Sequence, residues 1–211
     1  MALQAGATRV LCQVYEGKRM SEIIHYQDPQ SRAVRTQALL SFYEIPHKNV
    51  LIDIRKGDNK TADYLKIHPH GRVPAINYNG QIIIESGAIT LFLADVYADK
   101  MNTPKLGTPE RALLYEWVLF AQASLEPQAM LGFNPETKEK GKTEVRRLLE
   151  GMAGRFKGPH VLGEQFSVLD VILYTELNWY RLIGLYPDGL EPYDSFMKSH
   201  EERMQKAFAS K

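Results

Sequence analysis

The sequence predicts an α/β half followed by an all-α half. Between residues 21 and 97, short apolar strand patterns alternate with helical repeats, whereas only helical patterns follow residue 110. The stretch 98–109 is rich in Asp, Lys, Asn, Thr, Pro and Gly, a composition typical of a linker. We therefore expect an N-terminal extension over 1–20, an α/β domain over 21–97, a linker over 98–109 and a helical-bundle domain over 110–211.

The first half opens with a strand–helix–strand pattern. Ile23–Tyr26 predicts a short buried strand, and Asp28–Ser31 predicts a helix start, because Asp and Ser cap helices and the proline between them presets φ. Apolar residues at helical spacing predict a helix over Arg32–Ile45, which the following proline ends. Val50–Ile54 predicts a second strand, parallel to the first.

A hairpin and two helices complete this half. Thr61–Ile67 predicts a short helix, and Val73–Tyr78 and Gln81–Glu85 flank Asn79-Gly80, a strong two-residue turn signal. A helix over Ser86–Tyr97 follows. The predicted order is β-α-β-α-β-β-α in one mixed sheet, which is a thioredoxin-like arrangement.

The second half contains four predicted helices, and one begins with a recognisable cap. Ser167-Val168-Leu169-Asp170 has the form of a capping box, and Phe166 and Val171 are placed as its hydrophobic staple. We interpret this motif as structural. The four predicted helices span Glu110–Gln128, Thr143–Phe156, Ser167–Ile183 and Tyr193–Phe208.

Composition argues against several classes of partner. The 26 Lys and Arg residues balance 25 Asp and Glu, so no basic stripe indicates nucleic acid and no cationic amphipathic segment indicates a membrane surface. Cys12 is the single cysteine, which excludes an intramolecular disulfide framework and favours a cytoplasmic protein. His68 and His70 lack a third partner at metal-binding spacing, so we expect no metal site.

The extension has two interpretations. It carries Arg9, Lys18 and Arg19 against one acid, Glu16, which is compatible with a weak organelle-targeting leader. We favour an added strand or a surface segment, with Cys12 as a small apolar filler.

Two motifs about a dozen residues apart carry the binding chemistry. A cis bond at Val73-Pro74 would leave the Val73 amide and carbonyl free to pair with a ligand peptide; the alternative is a trans proline at an edge strand. Ser86 stands at a helix start, where free amides attract a carboxylate, and Glu85 can pair with an ammonium group. The alternative is an ordinary cap beside a solvated glutamate. Together the motifs predict a pocket for a small zwitterionic peptide.

Gly71-Arg72-Val73-Pro74-Ala75, followed by Glu85-Ser86-Gly87-Ala88-Ile89, resembles the glutathione-binding signature of cytosolic glutathione S-transferases. The βαβ opening, the hairpin and the helical second half extend the resemblance over roughly residues 21–211. It implies a thioredoxin-like domain that binds glutathione as co-substrate, without a metal, and a helical domain that shapes the site for a small electrophile. It also implies a homodimer.

The resemblance assigns roles by motif. Val73 would bond to the cysteinyl backbone of glutathione, with Pro74 in cis, and Glu85 and Ser86 would hold the γ-glutamyl end. Arg72 occupies a position where a basic side chain lies near the ligand; a solvated surface arginine is the alternative.

The thiol of glutathione, with an unperturbed pKa near 8.5, must also be deprotonated near neutral pH. Ser31 resembles the serine of bacterial and plant serine-type transferases, and we favour it as the hydroxyl donor that stabilises the thiolate. Tyr26, as in tyrosine-type members, is the alternative, and activation by the helix dipole alone stays open. Asp28 departs from the family pattern, because an ionised carboxylate would repel a thiolate. No cysteine lies in this turn, which argues against the thiol-transferase and disulfide-reductase branches.

The predicted function is conjugation of glutathione to small hydrophobic electrophiles, which contributes to detoxification. The alternatives are a binding or assembly protein with this fold and no transferase activity, and a glutathione-dependent isomerase or dehalogenase. Aromatic and thioether side chains of the helical half are candidates for the electrophile site, although such residues more often form a core: Tyr115, Trp117, Phe120, Met130, Trp179 and Tyr180.

Overall fold

The computed structural model describes residues 22–209, so the predicted extension with Cys12 lies outside the described residues. Its first half is built on a four-stranded mixed sheet of order β2-β1-β3-β4. Strand β1 pairs in parallel with β2 and antiparallel with β3, and β3 and β4 form a hairpin. The strands are β1 Ile23–Gln27, β2 Lys48–Leu51, β3 Ala75–Tyr78 and β4 Gln81–Ile84.

Three helices accompany this sheet, which confirms the thioredoxin-like order. Helix α1 (Ala33–Phe42) joins the parallel strands, α2 (Ala62–Ile67) precedes the hairpin and α3 (Ser86–Val96) follows it. The predicted turn is also present, because Asn79 and Gly80 both have positive φ, at 50° and 91°, as a two-residue hairpin of this type requires.

Helices dominate the second half, as predicted. Beyond residue 96, the described residues form only helices and one isolated bridge, between His160 and Gly163. The helices are α4 Pro109–Leu119, α5 Glu126–Leu131, α6 Lys138–Met152, α7 Val168–Ile183 and α8 Tyr193–Ala209, with a π-helical segment, Phe120–Leu125, between α4 and α5.

Most predicted elements begin or end at a different residue in the structure, and the second strand and two helices of the second half show this most clearly. The second strand was expected over Val50–Ile54 but ends at Leu51, because beyond it the Asp53 amide bonds to the Asp58 carboxylate in a turn. This edge strand is exposed along its length, so burial gave no signal of its position. The helix expected over Glu110–Gln128 contains the π-helical segment, since Pro127 cannot donate a hydrogen bond to the preceding turn.

The helix expected from Thr143 begins five residues earlier, at Lys138. The added turn includes Gly141, which lies against the preceding helix. A Cβ on Gly141 would lie 3.0 Å from the Gln128 carbonyl oxygen and 3.1 Å from the Leu131 Cβ, so glycine lets α6 approach α5 closely.

One continuous core joins the two halves. Leu39 of α1 and Ile76 of β3 belong to the same buried cluster as Trp117 of α4 and Leu177 of α7. The predicted linker is partly built into this core, because Met101 is fully buried and its carbonyl accepts a 2.9 Å hydrogen bond from the Val168 amide. The division into domains at 97 and 110 therefore stays a prediction.

The predicted capping box is present at the start of α7. Ser167 Oγ accepts a hydrogen bond from the Leu169 amide, and the Asp170 carboxylate accepts one of 2.7 Å from the Ser167 amide. Asp170 also accepts a 3.0 Å bond from the Val161 amide, which fixes the chain before the helix. None of the helices in the described part of the chain combines the length and apolar character that crossing a bilayer requires.

Candidate functional site

The turn between β1 and α1 is organised by Asp28. Its carboxylate accepts one hydrogen bond of 2.8 Å from the Gln30 amide and one of 3.3 Å from the Ile54 amide. The first bond closes an Asx turn, and the second ties the turn to the segment after β2. Asp28 thus holds the loop in place, which gives the departure from the family pattern a structural explanation.

Ser31 lies at the start of α1 and is partly exposed. Its hydroxyl donates a 2.6 Å hydrogen bond to the Asp28 carbonyl oxygen and accepts one of 3.1 Å from the Ala33 amide. Two backbone groups of its own turn therefore fix the serine hydroxyl. Tyr26, the alternative residue, packs edge-on against Tyr64 with ring centroids 6.1 Å apart.

The Val73-Pro74 peptide bond is cis, as the resemblance implied. Side chains hold the carbonyl groups of the two residues that precede Val73. Asn59 Nδ2 donates a 2.7 Å hydrogen bond to the Gly71 carbonyl oxygen, and the Tyr64 hydroxyl donates one of 2.7 Å to the Arg72 carbonyl oxygen. No other described residue bonds to the amide or carbonyl of Val73 itself. Both groups are thus available to a ligand.

Gly71 is required by this arrangement. Its φ is +58°, in the left-handed region, and a Cβ added there would lie 2.5 Å from the Asn59 carbonyl oxygen. A side chain at this position would therefore push Asn59 away and release the Gly71 carbonyl that the asparagine holds.

Glu85 and Ser86 join β4 to α3. Glu85 is exposed and has a φ of +68°, a strained value for a residue with a side chain. Ser86 is buried, and its Oγ accepts a 3.0 Å hydrogen bond from Gln122 Nε2 of the helical half. Because Ala75 pairs with Ile84, continuing the hairpin register places Val73 opposite Ser86.

A cavity of about 790 Å³ lies between the two halves. Three of the residues predicted to bind or activate glutathione line it: Ser31, Arg72 and Val73. The residues lining it do not include Tyr26, Pro74, Glu85 or Ser86. Further polar lining residues include Gln30, Arg32 and Asn59, and the apolar lining of the helical half comprises Met130, Phe133, Trp179, Leu182 and Ile183.

The predicted electrophile-site residues divide into two groups. Met130 and Trp179 line the cavity, and Trp179 contacts Phe133 with ring centroids 6.3 Å apart. Trp117 and Tyr180 are instead fully buried in the core. Tyr115 and Phe120 do not reach the cavity either: Tyr115 accepts a hydrogen bond from Arg111 Nε, and Phe120 packs edge-on against Trp117.

A buried ion network that the sequence did not indicate also lines the cavity. Arg35 Nη1 lies 2.8 Å from Glu126 Oε2, and Arg35 Nη2 lies 2.5 Å from Glu176 Oε2. Tyr180 donates a 2.9 Å hydrogen bond to the other Glu176 oxygen, and Arg32 also pairs with Glu126. Burial raises the pKa of Glu176, although the charge of Arg35 opposes this shift.

The sequence of this chain is similar to that of proteins of a known family. The family model described as "Glutathione S-transferase, N-terminal domain" matches residues 21–95. Glutathione S-transferase GstA of Escherichia coli O157:H7 is 31% identical over 161 residues, which cover 73% of this chain and 80% of that protein. The chain belongs to the glutathione S-transferase family. This membership and the observed fold confirm the family that the paired sequence motifs indicated.

Solved structures of glutathione S-transferase relatives share the fold. A glutathione transferase from Methylococcus capsulatus has a TM-score of 0.75 at 24% identity, with 88% of this chain and 96% of that chain covered. A glutathione transferase homologue from Sulfitobacter, solved with bound glutathione, has a TM-score of 0.68 at 22% identity, with 89% and 96% covered. At these identities the likeness concerns the fold alone and assigns no role to Ser31, Val73 or Ser86.

Proposed function

We propose that this member of the glutathione S-transferase family conjugates the thiolate of glutathione to small hydrophobic electrophiles. The observation that carries the proposal is the composition of the cavity. One wall offers Ser31, Arg72 and the unpaired main-chain groups of Val73, and the opposite wall is apolar, with Met130 and Trp179. A polar peptide and an apolar acceptor would thus be held side by side, which is the arrangement that a two-substrate transfer needs.

The polar wall and the adjoining Glu85-Ser86 turn, which lies opposite Val73 in the hairpin register, together fit the groups of glutathione. The cysteinyl residue pairs with the amide and carbonyl of Val73 as a short added strand. The γ-glutamyl carboxylate binds the Ser86 amide and hydroxyl at the start of α3, where the helix dipole favours an anion. The Glu85 carboxylate pairs with the γ-glutamyl ammonium group, and exposed Arg72 provides a cation near the peptide. A Sulfitobacter homologue of the same fold is solved with bound glutathione, which supports glutathione as the ligand.

Ser31 provides the hydrogen bond to the sulfur. Its hydroxyl turns from the Asp28 carbonyl toward the thiolate, while the Ala33 amide continues to donate to Oγ and polarises the hydroxyl. The thiol proton leaves to solvent, a sulfur lone pair attacks the electrophilic carbon and an S–C bond forms. In a substitution, the leaving group departs with the electrons of its bond. The N-terminus of α1 adds a favourable dipole.

The apolar wall selects hydrophobic acceptors and is open to solvent. Phe133 and Leu182 are 59% and 78% exposed, far more than side chains of a packed core. An apolar electrophile would cover both of them. Its burial contributes about 25 cal/mol for each Å² removed from water, with no ion pair required.

We place the function in a homodimer and in a reducing compartment such as the cytoplasm. Leu119 on α4 is 58% exposed, and Leu91 on the neighbouring α3 is half-buried, which leaves an apolar face for a second copy. Sedimentation equilibrium would test this state. A free thiol as co-substrate and a single cysteine in the chain both suit a reducing environment.

Initial-rate measurements with glutathione and an activated chloronitroarene test the proposal. We expect saturation in both substrates and one conjugate formed for each chloride released. The protein can be tested against a panel of aryl halides, epoxides and enones. If it binds glutathione but conjugates none of them, the result would contradict transferase activity and favour a glutathione-binding protein. Absence of glutathione binding would remove both functions.

A further inference from the structure

Two histidines and one aspartate meet outside the cavity. His160 lies in a tight turn after α6, Asp170 in the first turn of α7 and His200 in α8. None of the three lines the cavity. They are 10 and 30 residues apart in the chain, so no local spacing predicted the cluster.

The three facing atoms have the separations of ligands around one metal ion. His160 Nδ1 lies 2.9 Å from His200 Nε2 and 3.7 Å from Asp170 Oδ1, and His200 Nε2 lies 3.8 Å from Asp170 Oδ1. A triangle with these three sides has its equidistant centre about 2.0 Å from each corner. Zinc binds imidazole nitrogen at about 2.0–2.1 Å and carboxylate oxygen at about 2.0–2.2 Å.

Hydrogen bonds prepare His200 to be a ligand. Its Nδ1 lies 2.8 Å from the Phe196 carbonyl oxygen, which can only accept, so Nδ1 carries the proton and Nε2 keeps a free lone pair. Metal-binding histidines commonly donate their second nitrogen to a carbonyl in this way.

Asp170 is a buried carboxylate with one free position. Its Oδ2 accepts from the amide and hydroxyl of Ser167 at 2.7 and 3.0 Å, whereas among the described residues Oδ1 accepts only from the Val161 amide, at 3.0 Å. Among residues 22–205, whose side chains the structure describes, no lysine or arginine pairs with it within 4.0 Å. A buried anion of this kind is costly unless a cation compensates it.

We propose that His160, Asp170 and His200 bind one divalent transition-metal ion, with zinc the best fit. Without metal, the protonated Nδ1 of His160 donates a hydrogen bond to Nε2 of His200. On binding, that proton moves to Nε2 of His160, whose side chain is 20% exposed and so reaches water, and solvent fills the fourth position. The ion would join the turn at His160 to α7 and α8, as a structural site separate from the conjugation reaction.

Titration of the untagged, chelator-treated full chain with Co²⁺ tests this proposal. Glutathione is left out of the buffer, because its thiol binds metals. We expect one Co²⁺ per chain, with the absorption bands of a low-coordinate site, and displacement by Zn²⁺. In the His160→Gln variant, affinity should fall by more than the roughly 10–100-fold typical of lost outer-shell contacts. The matched control is His70→Gln, which removes an exposed histidine and should bind like the wild type.

Thermal unfolding provides a second readout. Zn²⁺ should raise the midpoint of the wild type and of His70→Gln, but not that of His160→Gln, because a ligand stabilises only the state that binds it. Circular dichroism would confirm that His160→Gln is folded. Absence of saturable Co²⁺ binding, or equal binding by His160→Gln, would overturn the proposal and leave a hydrogen-bonded histidine pair.

Discussion

The hydroxyl of Ser31 donates a 2.6 Å hydrogen bond to the carbonyl oxygen of Asp28, at the cavity wall where we place the glutathione sulfur. The same hydroxyl accepts from the Ala33 amide. It can therefore exchange one acceptor, the carbonyl, for another, the thiolate, without losing the amide that orients it. The charged acceptor is the stronger one, so the exchange is favourable when the thiolate is present.

Substitution Ser31→Ala is expected to reduce kcat/KM by about 10- to 150-fold, since a hydrogen bond to a charged group contributes roughly 1.5–3 kcal/mol. The dissociation constant of glutathione should change much less. Stopped-flow kinetics and calorimetry separate these effects. Ser41→Ala is a matched control, because Ser41 bonds to Gln37 and does not line the cavity. Equal activity of the two variants would exclude Ser31 from activating the thiol.

Ser86→Ala should weaken glutathione binding by roughly 1–3 kcal/mol, the cost of a lost buried hydrogen bond. Gln122→Ala separates this role from packing, because it removes the 3.0 Å bond from Gln122 Nε2 but leaves the serine in place. We expect the dissociation constant to rise more for Ser86→Ala than for Gln122→Ala. An unchanged dissociation constant of glutathione in Ser86→Ala would show that Ser86 serves only at the start of the helix and does not bind the ligand.

Arg35→Met should lower the free energy of unfolding by about 3–5 kcal/mol, because it leaves Glu176 buried without its cation and Glu126 paired with Arg32 alone. Urea denaturation measures the loss. The control is Lys48→Met, since Lys48 and Glu22 form an exposed pair expected to contribute at most about 1 kcal/mol. Similar losses in both variants would contradict the assigned role of the network.

Stability should fall with decreasing pH because of His25. Burial lowers the pKa of His25 from 6.5 to about 4, despite hydrogen bonds with Asn49 and Gln37. As the pH falls, His25 is therefore protonated in the unfolded chain before it is protonated in the folded protein. The contribution of His25 to the free energy of unfolding is fully present above pH 6.5 and is lost as the pH falls toward 4. The loss amounts to about 3 kcal/mol for this residue.

Urea denaturation across this pH range checks the effect. His25→Gln should flatten the dependence, whereas His70→Gln, which changes an exposed histidine, should keep the wild-type slope. A slope that His25→Gln leaves intact would assign the effect to other groups, such as His68 and His200, whose pKa values burial also lowers.

Much of the fold was predictable because it depends on local rules. Asn79-Gly80 specifies its turn by the positive φ that these residues tolerate, and Ser167 with Asp170 specifies a helix start through bonds within four residues. The edge strand at Lys48–Leu51 was misplaced, because its position follows from pairing with β1 and no burial pattern marks it.

The site was predicted in part, for a related reason. Val73 and Ser31 could be predicted as candidates because proline and helix-start chemistry are visible in sequence, and both residues line the cavity. The pairing of Arg35 with Glu126 joins residues 91 positions apart, so no sequence pattern indicates it. Phe133 and Leu182 were missed because only the tertiary arrangement decides whether an apolar side chain faces a core or a cavity.

The pKa of enzyme-bound glutathione tests the central claim most directly. The thiolate absorbs in the near ultraviolet, so its absorbance can be followed against pH in the saturated wild-type protein. We expect the thiol pKa to lie well below the unperturbed value of about 8.5, and to move back toward it in Ser31→Ala. A bound thiol that titrates like free glutathione, or a protein that binds no glutathione, would contradict the account.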